Sequence, residues 1–581
     1  MQSTKLESAG RPVFAADLSR CNLSEWLLRG VFAVLAGVFV AGDARALTVQ
    51  ENQDLTGYTE LEAALGSSIP IGSGVPIVQV EASSAASTTD PVYFPDPNYV
   101  DFLAGGDPNL EAVIITDASG GSANGFSAHA SVNVGQFFYG NTRSFSPGAN
   151  SVSVYEANHW MTSVLNLGGG TPDPHDFRVA NFSWVGTFGS ESTNAEALGR
   201  FDYLINQNNI TAVVGINHTI NTIPPLLAHS LNALAVGVTI GSNPTGTTQS
   251  LGVYNYPGRQ KPDIVGPDAT ASAMTALVSS TATMLHESGL GTDATKSATM
   301  KAILMAGATK EEFPSWNHTA TQPLDDEFGA GQLNVYNSYL IQSGGNDVGS
   351  LGQPTGPVGI DGWDYRAASE GLPLYYNFEV SAGSTATELS VILTWNAEVT
   401  DSNPGAGFTP DVSLDNLDLR FYDSSSTFLG TEVESSVSTI DNIEHIFLSG
   451  LSPGTYTLEV SNLTLGSSRD FGLAWRMETQ LDAPTADFDG DGDVDGMDFL
   501  TMQSHFGTLT GASHSQGDAD GDGDVDAADR LLFSSSFGQT PGILGALNTL
   551  PEPSSLWLGA AGLALLYFFR YFQRLPRQLP R

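Results

Sequence analysis

The chain has 581 residues, enough for several domains, and 41% of them are hydrophobic, which excludes a disordered polypeptide. Its 63 acidic residues against 22 basic ones give a formal charge of −41, and a surface that acidic repels nucleic acid. The single cysteine, Cys21, falls in a segment read below as a cleaved leader, so neither a disulfide nor thiol chemistry is expected of the mature chain.

At the N-terminus, Arg29 precedes the apolar run VFAVLAGVFVA (31–41), and Ala44-Arg45-Ala46 supplies an A-x-A cleavage pattern. Residues 1–46 therefore read as a secretory signal peptide. From about 70 to 310, short apolar runs alternate with helix-like segments. VPIVQV (75–80), AVIIT (112–116), VSVY (152–155), RVANFS (178–183), TAVVGI (211–216) and ALAVGVTI (233–240) are expected as buried strands. Segments near 128–137, 157–166, 194–208, 272–287 and 296–307 are expected as helices. The alternation predicts an α/β domain with a mostly parallel sheet covered on both faces. In such a fold the working residues sit at the carboxyl ends of strands and at helix starts.

One helix start stands out. In KPDIVGPDATASAM (261–274), Ser272 sits between Ala271 and Ala273 after a Pro-Asp turn. Serine there is either a helix cap or a nucleophile with space cleared around it. A nucleophilic serine needs a base, a group that orients the base, and donors for the oxyanion. His129, in AHASVNVG (128–135), is a candidate base at the first turn of another helix. HASVNVG, RVANFSWVG (178–186), AVVGINHT (212–219), KPDIVGPDATASAM and FGAGQLNV (328–335) follow one another in that order. Together they resemble the subtilase (subtilisin-like) family of serine peptidases over roughly residues 70–345, within a peptidase domain placed at 47–345.

The resemblance implies a subtilisin-like fold, His129 as general base and Ser272 as nucleophile. It further implies Asn217 as the oxyanion donor and Ser183 and Gly186 along the substrate backbone. The third triad member is open between two acids. IGSGVPIVQVEASS (71–84) resembles the strand that ends in the family's aspartate but offers Glu81 there, which is favoured. Asp117, in an Asp-Ala-Ser-Gly-Gly turn, is the rival. The chain also departs from the family at Thr270 and Ala276, where a glycine and a proline are usual. Only about 25 residues lie between leader and domain, too few for the folding pro-domain common in subtilases.

Past Gly344-Gly345 the pattern becomes strands and turns, so 346–481 reads as an accessory β-sandwich. Two near-copies follow, DFDGDGDVDGMD (487–498) and DADGDGDVDAAD (518–529), which start 31 residues apart. Oxygen ligands at loop positions 1, 3, 5 and 12, with glycine at 6, suit a calcium loop. These are Asp487, Asp489, Asp491 and Asp498 with Gly492, then Asp518, Asp520, Asp522 and Asp529 with Gly523. The tandem loops without an incoming helix resemble a type I dockerin over 482–541, which implies two calcium ions and a cohesin-like partner.

At the C-terminus, Pro551-Glu552-Pro553, the apolar run 556–569 and a tail holding Arg570, Arg574, Arg577 and Arg581 resemble a PEP-CTERM sorting signal (542–581). That implies an exosortase-type processing enzyme and a short membrane segment with its basic end inside. The sequence thus leads to an exported, cell-surface serine endopeptidase acting on protein or peptide substrates. The alternative is a catalytically inactive subtilase-like scaffold that works through its sandwich and dockerin-like modules.

Overall fold

Six of the apolar runs build one parallel sheet. The structure, a computed structural model, describes residues 13–15, 47–84, 91–103, 110–120, 124–216, 223–240, 247–268, 270–381, 384–405, 407–481, 486–489 and 493–538. The sheet strands are β1 (Ile77–Glu81), β2 (Ile114–Asp117), β3 (Ser151–Glu156), β4 (Val179–Phe182), β5 (Thr211–Gly215) and β6 (Leu234–Val236). They lie in the order β2-β3-β1-β4-β5-β6, each parallel to its neighbour. β1, β4, β5 and β6 are buried at every position, as a sheet covered on both faces requires.

Strand alternation sends neighbouring residues into two separate cores. Ile77, Val179 and Val213 pack with Met274, Leu277 and Val278 of the helix Ala271–Ser288. Val78, Val80, Ala180 and Val214 face the opposite way, toward Phe201 and Leu204 of the helix Glu191–Asn208. Glu81 shares the parity of Ile77 and so emerges on the side of the Ala271–Ser288 helix. That helix runs through the centre of the α/β layer, and Ala273 through His286 are all buried. It is built from small residues whose hydroxyls bond back four residues. Thr275, Ser279, Thr281 and Thr283 donate to the carbonyls of Ala271, Thr275, Leu277 and Ser279, so burying them leaves no hydroxyl unsatisfied.

Three elements differ from the sequence expectation: β2, expected as a buried strand, is an edge strand whose positions are exposed or half-buried. The segment 157–166 is not one helix but a single turn, Ala157–His159, followed by the wide π-type turns Trp160–Val164. The stretch before the sheet, for which no element was expected, forms two helices, Val49–Leu55 and Tyr58–Leu65. Thr48 caps the first with a reciprocal Glu51 bond. Tyr58 of the second stacks on Phe145 at 4.4 Å, and Leu61 is fully buried, so this stretch is part of the core.

Residues 361–481 form two four-stranded antiparallel sheets. One runs Leu374–Val380, Gly454–Asn462, Leu417–Asp423, Thr431–Ser436; the other runs Ile443–Leu448, Ser384–Trp395, Ser468–Leu481, Asp361–Ser369. The sandwich does not stand apart from the α/β layer: Trp363, Ile392, Ile443 and Ala474 join the same hydrophobic core as Ile303 and Ile341. Thr394 donates to the Ala298 carbonyl at 2.7 Å, Asn442 to that of Leu231 at 2.7 Å, and the buried Arg200 to that of Phe408 at 2.6 Å. The compact unit therefore extends to Gln480, and a second unit begins at Leu481. Among its described residues that second unit carries the α-helices Gly496–His505 and Ala527–Ser536, with the apolar residues Phe488, Val494, Met502, Val525 and Phe533 buried in its core.

Among the described residues no helix is long and apolar enough to cross a membrane. The leader, apart from 13–15, and the apolar run 556–569 lie outside the described residues, as do Asn217, Asp491 and Gly492.

Candidate active site

Glu81 is the last residue of β1, at the carboxyl edge of the sheet, and its side chain is 0% exposed. His129 opens the π-helical turns His129–Gly135, which Gln136–Phe138 continues as an α-turn. Ser272 is the second residue of its helix. The N-cap position belongs to Thr270, so capping is not the work of Ser272. These three elements, far apart in sequence, converge. His129 Nδ1 lies 2.9 Å from Glu81 Oε2, and His129 Nε2 lies 3.0 Å from Ser272 Oγ. With a carboxylate facing Nδ1, that nitrogen carries the proton and Nε2 presents its lone pair to the serine hydroxyl. The imidazole remains partly open to solvent, its side chain 22% exposed over a fully buried acid.

The end of β4 closes the other side. Ser183 Oγ lies 2.9 Å from Asn181 Oδ1 and 3.1 Å from the Ser272 carbonyl, within donating reach of either, while its own carbonyl stands 3.4 Å from Ser272 Oγ. Asn181 in turn donates to Ser279 Oγ at 3.0 Å, pinning the strand end to the serine-bearing helix. Gly186 lies on the following strand, Val185–Thr187, and is buried. Asp117, the rival acid, sits at the end of β2, where its Oδ1 accepts from the Tyr93 hydroxyl at 2.7 Å and from the Ser119 N–H at 3.0 Å. It is engaged as a turn residue.

Two residues around this site were not singled out in the sequence. Gln79, also 0% exposed, donates to Glu81 Oε1 at 2.8 Å, and the Tyr139 hydroxyl donates to Gln79 Oε1 at 2.6 Å. Burial, aided by the nearby Glu81 charge, raises the Tyr139 phenol well above its ordinary range, so it stays a donor. A polar residue inside an otherwise apolar strand, two positions before the acid, is the signal that could have exposed Gln79.

In the second unit the acidic loops repeat one geometry. Asp487, Asp489 and Asp498 bring carboxylate oxygens within 4.8 Å of one another, and Asp518, Asp520 and Asp529 do the same. Asp498, fully buried, accepts from the N–H groups of Asp489 (3.2 Å) and Asp495 (2.9 Å); Asp529 accepts from Asp520 (3.3 Å) and Asp526 (2.6 Å). Gly523 has φ of 84°, a left-handed conformation that favours glycine at the turn. Asp522 accepts the Asp524 N–H at 3.0 Å. Desolvation, reinforced by the charges of Asp529, Asp522 and Asp518, raises the Asp520 carboxyl above its ordinary value. Converging hard carboxylate oxygens of this kind fit a calcium ion.

Residues 485–536 match the Dockerin type I domain. Domains of this type bind calcium, and the clustered aspartates lie within the matched residues. No curated protein matches the chain significantly. Among solved structures, a serine protease of Aeromonas sobria is 13% identical with a TM-score of 0.30, covering 70% of this chain and 88% of its own. The prenylagaramide maturation protease PagA is 16% identical with a TM-score of 0.31, covering 48% of this chain and 97% of its own. MycP1 without its N-terminal propeptide is 16% identical with a TM-score of 0.30, covering 53% and 99%.

Proposed function

We propose that this chain is an exported, surface-retained serine endopeptidase with a subtilisin-like catalytic domain. The observation that carries the reading is the continuous hydrogen-bonded line Glu81–His129–Ser272 at the carboxyl edge of a parallel sheet. In this reading His129 Nε2 takes the Ser272 proton as Oγ attacks the peptide carbonyl, and Glu81 stabilises the imidazolium that forms. The imidazolium then gives that proton to the leaving amine, which leaves an acyl-enzyme on Ser272. Water, activated by the same imidazole, releases the acid product. Asn217 is the proposed side-chain donor to the oxyanion, and the ends of β4 and of Val185–Thr187 are the proposed ledge for the substrate backbone, with Ser183 and Gly186.

The second unit serves as a calcium-dependent docking module in this reading. Asp487, Asp489, Asp491 and Asp498 hold one ion and Asp518, Asp520, Asp522 and Asp529 the other, for a cohesin-like partner. Residues 542–581 act as a sorting and membrane segment for an exosortase-type enzyme. Deleting 551–581 is expected to release active protein into the medium.

Labelling with a fluorophosphonate probe tests the catalytic reading. Wild type should label stoichiometrically and the Ser272→Ala variant not at all. A folded wild type that takes no label overturns it in favour of an inactive scaffold.

A further inference from the structure

Gln79 lies two residues before Glu81 on the same face of β1, and its amide is fully used. Its nitrogen donates to Glu81 Oε1 at 2.8 Å and to the Ala130 carbonyl at 3.0 Å. A backbone carbonyl can only accept, so the amide orientation is fixed and its oxygen must accept from Tyr139. One side chain therefore ties the acid to the residue that follows the histidine. Tyr139 braces it from the far end of the same helical turns. Gly135 makes that crossing possible, because a Cβ there would stand 2.6 Å from Phe102 Cζ and 2.8 Å from the Tyr139 hydroxyl.

We infer that Gln79 and Tyr139 are positioning residues that hold the Glu81 carboxylate in the rotamer facing His129. The inference rests on the reading of Glu81, His129 and Ser272 as a catalytic triad. A glutamate has one more rotatable bond than an aspartate, and both of its oxygens are committed here, Oε2 to His129 and Oε1 to Gln79. The brace also has an electrostatic consequence. With His129 neutral the Glu81–His129 pair carries one negative charge; with His129 protonated it carries none. A donor on Glu81 favours the negative state. Losing it shifts protonation of the pair to higher pH.

The test uses the full-length chain with Gln79→Leu and Tyr139→Phe. It measures kcat and KM per fluorophosphonate-titrated site, the pH profile of kcat/KM, and the His129 imidazole titration by NMR. Gln79→Leu is expected to lower kcat about 10- to 100-fold with KM little changed, the scale of one hydrogen bond to a charged group. It should move the acidic limb and the His129 titration up by about one pH unit. Tyr139→Phe should shift both in the same direction by less. A purely structural role would lower the titratable fraction and leave the pH values in place. Unchanged kcat per site and unchanged His129 titration in both variants overturn the inference. Should Gln79→Leu fail to fold, Tyr139→Phe, which removes one oxygen atom, decides alone. Should the wild type prove inert, the triad reading falls, while the NMR titration still upholds or overturns the brace.

Discussion

In the proposed triad a glutamate takes the place of an aspartate, with its reach set by the backbone and by Gln79. β1 ends at residue 81 itself, so the extra methylene spans the gap that a shorter acid would leave to His129 Nδ1. Replacing Glu81 by glutamine keeps the shape but removes the charge that stabilises the imidazolium, so turnover is expected to drop by about 10⁴. Asp117→Asn should change little, because an amide oxygen can still accept from Tyr93 and Ser119. Steady-state kinetics on the two variants decides the roles; full loss in the Asp117 variant with activity kept in the Glu81 variant would reverse them. Glu81, His129 and Ser272, which the structure brings within hydrogen-bond distance, were singled out because each sits in a short local pattern, those of His129 and Ser272 being among five that keep their order along the chain. Tyr139 was not singled out, since its value lies in a contact with Gln79, 60 positions away, that no local pattern announces; Gln79 itself is marked only as a polar residue in an apolar strand.

At the level of elements, helices and strands that bury a full face were readable, and short or irregular ones were not. The central helix was expected over 272–287 and is observed as Ala271–Ser288, because a long run of small apolar and hydroxyl residues has one stable solution under a sheet. Val49–Leu55 and Tyr58–Leu65 are seven and eight residues long, joined through Gly57 at φ 72°, too short for periodicity to show. The acidic loops are a third case, legible by charge alone. Among its described residues the module has a core of seven buried apolar residues, so little holds it together once the aspartates are left to repel one another. Chelating calcium is expected to unfold 487–538, since metal-binding energy is folding energy in so small a unit. Asp529→Ala should have the same effect on its own loop. It removes a ligand and the acceptor for the Asp520 and Asp526 N–H groups together. Limited proteolysis with and without chelator reads this out, and equal resistance in both conditions would count against bound calcium.

Across the whole molecule, the sandwich changes meaning between sequence and structure. Strand spacing alone marks it as a separate accessory module, yet its residues complete the core of the α/β layer. Lys310 shows the linkage in one side chain. It is buried, donates to the Ala308 carbonyl at 3.0 Å, and its ammonium lies over Phe447 of the sandwich at 4.4 Å and over Trp316 at 5.4 Å. Desolvation lowers it from 10.5 to about 8, against the opposing charges of Glu388 and Glu312. A depressed lysine favours the fold at high pH, and that contribution is lost as pH falls from 10.5 through about 8. Lys310→Met should therefore raise Tm at neutral pH, and the gain should shrink as pH rises through that window. The same reasoning governs truncation. Cutting after residue 345 would strip the sandwich from Ile303 and Ile341. It would also break the hydrogen bonds from Thr394 to the Ala298 carbonyl, Asn442 to the Leu231 carbonyl, Arg200 to the Phe408 carbonyl and the Ala397 N–H to Asn232. An ordinary domain is stable by only about 5–15 kcal/mol, so uncovering the apolar face around Ile303 and Ile341 is a large loss. Residues 47–345 alone are thus expected to be insoluble or unlabelled by a fluorophosphonate, whereas 47–481 should label and melt in one transition. Two separate transitions in 47–481, or a soluble and fully labelled 47–345, would make the sandwich a detachable module after all.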